Sequence, residues 1–155
     1  MEKAVLVGIK LKAENTPLDE SIEELKKLAL SANARAIKVI SQVRDKPDLK
    51  YFIGTGKAEE LKEICANKEA DLVIIDHTVS PSQARNLEEL IGKKVIDRTE
   101  LILDIFARHA HSHEGKLQVE LAQTSFRLTH LTGFGTMLSR LGGGESEPGD
   151  QVKRN

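Results

Sequence analysis

Tryptophan is absent from this chain, and aromatic residues supply only 3% of it. Any core must therefore be filled by Leu, Ile, Val and Ala. The single cysteine, Cys65, excludes an internal disulfide and points to the reducing cytosol. Long apolar runs are missing too. The longest early one, Ala4 to Ile9, includes Gly8 and is too short for a signal peptide or a membrane span. Charge of either sign is not in excess: 23 Lys and Arg stand against 24 Asp and Glu, a formal net charge of -1. That balance argues against a generic nucleic-acid binder, which is usually strongly basic. The 155 residues allow one domain, or a domain with an appendage.

What is present is an alternation of strand-like and helix-like segments. Ala4 to Leu11 reads as a buried strand, and Asn15, Thr16 and Pro17 end it. Leu18, Ile22, Leu25, Leu28 and Ala29 recur at helical spacing. In Ala34 to Val43, Ile37, Val39 and Val43 alternate with Lys38 and Gln42 as in a strand. A polar loop with Pro47 leads to Tyr51, Phe52 and Ile53, read as a short strand, and then to Gly54-Thr55-Gly56-Lys57. The next helix has Leu61, Ile64 and Cys65 on one face, and Leu72 to Ile75 suits a central parallel strand. Ser80-Pro81-Ser82-Gln83 has the form of a capping box with proline in the first turn, and Gly92 stops that helix. Val95 and Ile96 form the last strand. Asp97 and Thr99 are alternative N-caps for a helix with Leu101, Ile102, Ile105 and Phe106 on its apolar face. This order implies βαβ units and an α/β fold: a small parallel sheet of about four strands flanked by helices.

From Phe106 to Gly144 the chain reads as a long helix, with a turn at Ser112 to Gly115. Leu117, Leu121, Thr124, Leu128, Leu131 and Leu138 form a heptad seam. Val119, Ala122 and Phe126 form a second stripe about 160° away. A helix apolar on two sides has to be covered on both. It is expected to close a long antiparallel αα-hairpin with the helix before it. The expected division is 1–98 for an α/β subdomain, 99–144 for the hairpin with a glycine-rich end, and 145–155 for a disordered polar tail.

Few residues declare chemistry. Gly54-Thr55-Gly56-Lys57 fails the phosphate-loop pattern, because Tyr51 stands where its first Gly should be and Ala58 where its hydroxyl should be. Gly54, Gly56 and Lys57 retain the ingredients of a weak anion site at a helix start; a tight strand-to-helix turn needs the same glycines. His109, His111 and His113 would diverge on a helix, and no fourth ligand can be named, so no metal site is assigned. His77 and His130 are isolated, and Cys65 reads as an inert core thiol. No catalytic set is recognisable.

The stretch from Arg108 to Arg140 is locally basic, with Arg108, Lys116, Arg127 and Arg140 against Glu114 and Glu120. Gly133-Phe134-Gly135 is expected to interrupt the helix there, with Gly142-Gly143-Gly144 beyond. An aromatic between glycines and arginines can stack on an unpaired base; it can equally tuck into the hairpin as part of a C-cap region.

Glu114-Gly115-Lys116-Leu117-Gln118-Val119-Glu120-Leu121-Ala122-Gln123, Leu131-Thr132-Gly133 and Leu138-Ser139-Arg140 before the three glycines resemble the N-terminal domain of the HflX family of ribosome-associated GTPases. So do Phe52 to Lys57, Asp76 with Ser80 to Arg85, and Val95 to Thr99 leading to Ile105-Phe106-Ala107; the likeness runs from about Ala4 to Gly144. The resemblance implies a cytoplasmic protein in which this domain precedes a Ras-like G domain that uses GTP and Mg2+. It implies GTP-dependent binding to the large ribosomal subunit and, in bacteria, splitting of stalled ribosomes under stress. The hairpin end would reach ribosomal RNA, making Lys116, Arg127, Gly133, Phe134, Gly135, Arg140, Gly142, Gly143 and Gly144 the RNA-binding candidates. No Gly-x4-Gly-Lys-Ser/Thr occurs in the chain, so GTP hydrolysis is not expected of it, and no cofactor is assigned to it. The implied partners are the large subunit, the family's C-terminal G domain and, through an uncovered heptad face, a second copy. Two alternative functions are a weak purine-nucleotide site for ATP or GTP at Gly54 to Lys57, and a regulator packed on the G domain. His109 and Phe134 stand where the family tends to be basic, and Glu145 to Asp150 keeps only Pro-Gly and an acid of a Gly-Thr-Arg-Gly-Pro-Gly-Glu run.

Overall fold

The computed structural model describes residues 1–110 and the helix over 113–141, with side chains described as far as residue 128 apart from that of His113. Four strands, β1 (Glu2–Leu11), β2 (Ala34–Arg44), β3 (Leu72–Ile75) and β4 (Lys94–Asp97), form one sheet in the order β2-β1-β3-β4. Every pairing is parallel. Among the described residues five helices accompany them: α1 (Leu18–Ser31), α2 (Thr55–Asn67), α3 (Pro81–Ile91), α4 (Arg98–His109) and α5 (His113–Leu141).

Strand alternation sorts the side chains to two faces. Val5, Val7 and Ile9 of β1 meet Leu61 and Cys65 of α2 and Leu87 and Ile91 of α3. Ala4 and Leu6 meet Leu25 and Ala29 of α1 and Leu101 of α4 on the other face. The sheet is thus a middle layer, and β1 and β3, buried throughout their shared length, carry the continuous apolar runs of doubly covered strands. Gly8 lets α1 come close: a Cβ there would lie 2.7 Å from Ile22 Cδ1.

Several local expectations hold. Ser80 Oγ accepts from the Gln83 amide at 3.1 Å, and Gln83 Oε1 accepts from the Ser80 amide at 2.9 Å, closing the capping box. Gly92 ends α3 at φ 77°. Of the two alternative caps for α4, Asp97 serves, accepting from the Glu100 amide at 2.9 Å and the Val79 amide at 3.1 Å. That buried carboxylate ties the start of α4 to the loop before α3.

Others do not hold. Ile37, Val39 and Val43 do not share a face, because pairing with β1 skips Ile37: Ala4 faces Ala36 and Val5 faces Lys38. The bulge inverts the parity of the strand. Ile37 packs in the α2–α3 layer, Val39 in the α1–α4 layer, and Val43 is exposed. Tyr51 to Ile53 is no sheet strand. Asp48 and Phe52 exchange two backbone hydrogen bonds at 2.9 and 3.0 Å, and the Asp48 carboxylate accepts from the Lys50 and Tyr51 amides. This turn holds buried Phe52 at φ 67°. The break before the long helix comes slightly earlier than the turn expected at Ser112 to Gly115: Ala110 is already extended after α4, and α5 begins at His113. From His113 onward α5 continues through Gly133, Phe134 and Gly135 to Leu141 without the expected interruption.

Candidate functional site

In an open parallel sheet, ligands gather at the carboxyl ends of adjacent strands whose crossovers leave in opposite directions. Here that point lies between β1 and β3: α1 returns the chain to β2 on one side, and α2 carries it past β1 to β3. A crevice of about 650 Å³ opens there, lined by Lys10, Glu14, Ser21, Asp76, His77 and Arg98 among others.

Asp76, the residue after β3, is the centre of this site. Its side chain is 1% exposed, and Arg98 reaches it with Nη2 at 2.9 Å and Nε at 3.0 Å. Ser21 Oγ of α1 donates to its second oxygen. Arg98 also contacts Glu24 at 3.0 Å, so one guanidinium bridges β3, α4 and α1. Across the crevice His77 Nε2 lies 2.7 Å from Glu14 Oε2, and Lys10 Nζ donates to the Glu14 carbonyl at 2.9 Å. The Leu11 amide, His77 and Lys10 together hold the Glu14 carboxyl below the usual range, against the opposing effect of burial. The ring of Phe52 lies 5.0 Å from that of His77, which joins the Asp48–Phe52 turn to the same edge.

Chemically these are two side-chain clusters on facing sides of the crevice: Arg98 between the carboxylates of Asp76 and Glu24, and His77 with Glu14. The β1–α1 turn, Lys12 to Pro17, has no glycine, and α1 begins with Asp19 and Glu20, which oppose a phosphate at its N-terminus. Sequence reasoning gives Asp76 and Arg98 only as members of motifs, with no role, and leaves His77 isolated. Their partners are far away in the chain, and only the position of Asp76 directly after an apolar strand could point to them.

The predicted anion loop is occupied by the protein itself. The Gly54 amide donates to Gln42 Oε1 at 2.9 Å, and the space of its missing Cβ is filled by Arg44, with Nη1 2.7 Å away. Lys57 pairs with Glu60 one turn along α2 at 3.2 Å. Gly56 has open space around it. Gly54 itself has ordinary extended backbone angles, φ -65° and ψ 156°, and caps the start of α2.

Of the predicted RNA-binding residues, Lys116 and Arg127 are exposed on α5, and neither has an ion pair among the described residues. Gly133, Phe134, Gly135 and Arg140 lie on the backbone course of α5, with their side chains outside the described residues; Gly142, Gly143 and Gly144, like His111 and the tail, lie outside them altogether. The described part of the leucine seam is turned away from the body rather than covered: Leu117, Leu121 and Leu128 are 47%, 67% and 54% exposed, as is Phe106 at 57%. Of the second stripe, Val119 and Phe126 are half-buried while Ala122 is exposed; Gln123, outside that stripe, is half-buried beside them. Gln123 Nε2 donates to the Leu103 carbonyl at 3.5 Å, and Phe126 closes a cavity of about 110 Å³ over Leu72, Ile74 and Ile96. Cys65 is fully buried, and burial raises its thiol pKa.

Comparison with known proteins gives these elements a context. Residues 19–107 match the family described as GTP-binding GTPase N-terminal, and residues 109–153 match GTP-binding GTPase Middle Region. The chain is 48% identical over 143 residues to the GTPase HflX of Caldanaerobacter subterraneus subsp. tengcongensis, covering 92% of this chain and 33% of that protein. The same identity, length and coverage hold for GTPase HflX of Escherichia coli. Among solved structures, a GTP-binding protein from the hyperthermophilic archaeon Sulfolobus solfataricus, in complex with GDP, superposes with a TM-score of 0.66 at 30% identity, covering 88% of this chain and 40% of that one. The chain thus spans about a third of the length of these curated relatives.

Proposed function

This chain belongs to the HflX family of GTPases, matching its N-terminal portion, and from that premise we propose that it is a cytoplasmic ribosome-binding module. In this reading residues 1–98 form a rigid α/β body, and 99–144 form an antiparallel helical arm that meets RNA of the large ribosomal subunit. GTP binding and hydrolysis, with Mg2+, would belong to a G domain elsewhere in the full-length protein, and that cycle would drive ribosome splitting or rescue. Among the described residues no helix is long and apolar enough to cross a membrane.

The observation that carries the proposal is α5 itself. Its 29 residues make a rod about 44 Å long. Among the described residues Val119, Gln123 and Phe126 are the half-buried side chains that face the body, and Lys116 and Arg127 stand exposed beside them, Arg127 at the rim of the cavity that Phe126 lines. Lys116, Arg127 and Arg140 would pair with phosphates, Phe134 would stack on a base, and Gly133, Gly135 and Gly142 to Gly144 would allow close approach of the backbone. Removing one cation that pairs with a phosphate should flatten the log–log salt dependence of binding by about one unit. Cosedimentation with purified large subunits across a salt series reads this directly. Lys116→Ala/Arg127→Ala is expected to bind more weakly with a flatter slope. Recovery equal to wild type and insensitive to salt would defeat the proposal.

A second reading rests on the exposed leucine seam: Leu117, Leu121 and Leu128 fit a surface that packs on the G domain and sets its turnover. A full-length protein in which Leu121→Lys changes GTP turnover without ribosomes, leaving subunit binding intact, would favour it. A purine-nucleotide site at Gly54 to Lys57 has less support, since the Gly54 amide and Lys57 are already engaged.

A further inference from the structure

The sheet is left open along β2. It stands at the edge of the order β2-β1-β3-β4, so its outer side pairs with no strand among the described residues. At 11 residues it is one of the two long strands, and it presents a long row of backbone donors and acceptors. Beside it runs a groove of about 450 Å³, between the end of α1 and the first half of β2. Its apolar lining is Leu30, Ala36, Ile37 and Val39; its charged lining is Lys26, Arg35 and Lys38. No carboxylate lines it. Lys26 is tied to Glu23 at 2.9 Å, whereas Arg35 and Lys38 are exposed with no ion pair among the described residues. In a chain of net charge -1, this groove is cationic throughout its charged rim.

We propose that the β2 edge is a docking site for an extended acidic segment of a partner protein, alternating apolar and Asp/Glu residues, which adds to the sheet as a further strand. Strand addition draws affinity from main-chain hydrogen bonds and specificity from pockets for alternate side chains. The groove supplies both, with its apolar floor for one set of side chains and Arg35 and Lys38 for the other. Arg35, Lys38 and Arg44 along the edge disfavour a basic strand. A second copy of β2 is disfavoured by the same charges, since pairing would bring Arg35, Lys38 and Arg44 of both strands together. An RNA strand would satisfy the cations but would use neither the backbone edge nor the exposed Leu30.

The test titrates this chain with a fluorescein-labelled peptide of about seven residues alternating Val or Ile with Glu, followed by anisotropy and by amide chemical shifts. Binding is expected to shift amides within Ala34 to Arg44. N-methylating alternate peptide amides should weaken it about tenfold or more, because the main-chain ladder is broken. Arg35→Glu/Lys38→Glu should lose a similar factor and gain affinity for the peptide with Lys in place of Glu. Four results would overturn the proposal: equal affinity for the N-methylated peptide, shifts that fall outside β2, displacement by single-stranded RNA at lower concentration, or a free chain that already dimerises through β2. The N-methylated arm uses wild-type protein, so it decides the question even if the charge-reversed variant folds poorly.

Discussion

Replacing Arg98 with Ala removes the partner of an almost fully buried carboxylate. Asp76 would keep one hydrogen bond, from Ser21, and forfeit both from the guanidinium at 2.9 and 3.0 Å. Breaking a buried ion pair by deleting one member costs about 3–5 kcal/mol, since the other charge stays buried. Arg98 itself is 29% exposed, so water can partly replace it, and the expected loss is about 2–3 kcal/mol. For a domain of this size that lowers the melting temperature by roughly 4–12 °C. Urea denaturation followed by circular dichroism measures it. Glu24→Gln is the control: that pair is solvent-exposed and its removal should cost under about 0.5 kcal/mol. The double variant Asp76→Asn/Arg98→Met should be more stable than Arg98→Ala alone, because no charge is left unpaired. A loss below about 0.5 kcal/mol in Arg98→Ala, or a double variant no better than the single, would refute the reasoning.

Gly8→Ala should destabilise by about 1–3 kcal/mol in the same assay, since its methyl would meet Ile22, and Ile22→Val should relieve part of that. Glu69, held at φ 51° just after α2, should give up strain as Gly: Glu69→Gly is expected to stabilise by up to about 1 kcal/mol, read as a higher urea midpoint. Glu14 has its pKa depressed in the folded state, so its contribution to stability is present above about pH 4.3 and disappears as pH falls through the lower folded value. Glu14→Gln should therefore show a shallower acid-side decline in unfolding experiments. Cys65 should resist alkylation in the native protein and react readily in denaturant, as expected of a buried thiol with a raised pKa.

What could be read from sequence was what local chemistry determines. The Ser80–Gln83 box, the stop at Gly92 and the apolar run of β3 each depend on neighbours within a few positions, and each is found where expected. The bulge at Ile37 is set by pairing with β1, and no pattern within β2 alone reveals it. The left-handed Phe52 was unreadable because a bulky apolar residue next to a glycine suggests a strand; the Asp48 carboxylate is what makes the turn. A heptad seam tells that two stripes exist on α5 but not which one meets the body. Phe126 lines the cavity over Leu72 and Ile74, whereas Leu117 and Leu121 are exposed. The Asp76–Arg98–Ser21 crevice was hidden for the same reason as any tertiary site: its members lie 22 and 55 positions apart.

The central claim is that α5 lies against RNA of the large subunit, and its buried native thiol permits a direct test. Cys65 does not compete for a reagent aimed at exposed cysteines, so a hydroxyl-radical probe can be tethered at Thr124→Cys on α5 and, separately, at Glu59→Cys on α2. With the full-length protein, any exposed cysteine outside this chain replaced by Ser, bound to large subunits and GTP, the account predicts strong, localised RNA cleavage from Thr124→Cys and little from Glu59→Cys. Cleavage confined to the α2 probe, or none from the α5 probe in a protein that still binds the subunit, would contradict it.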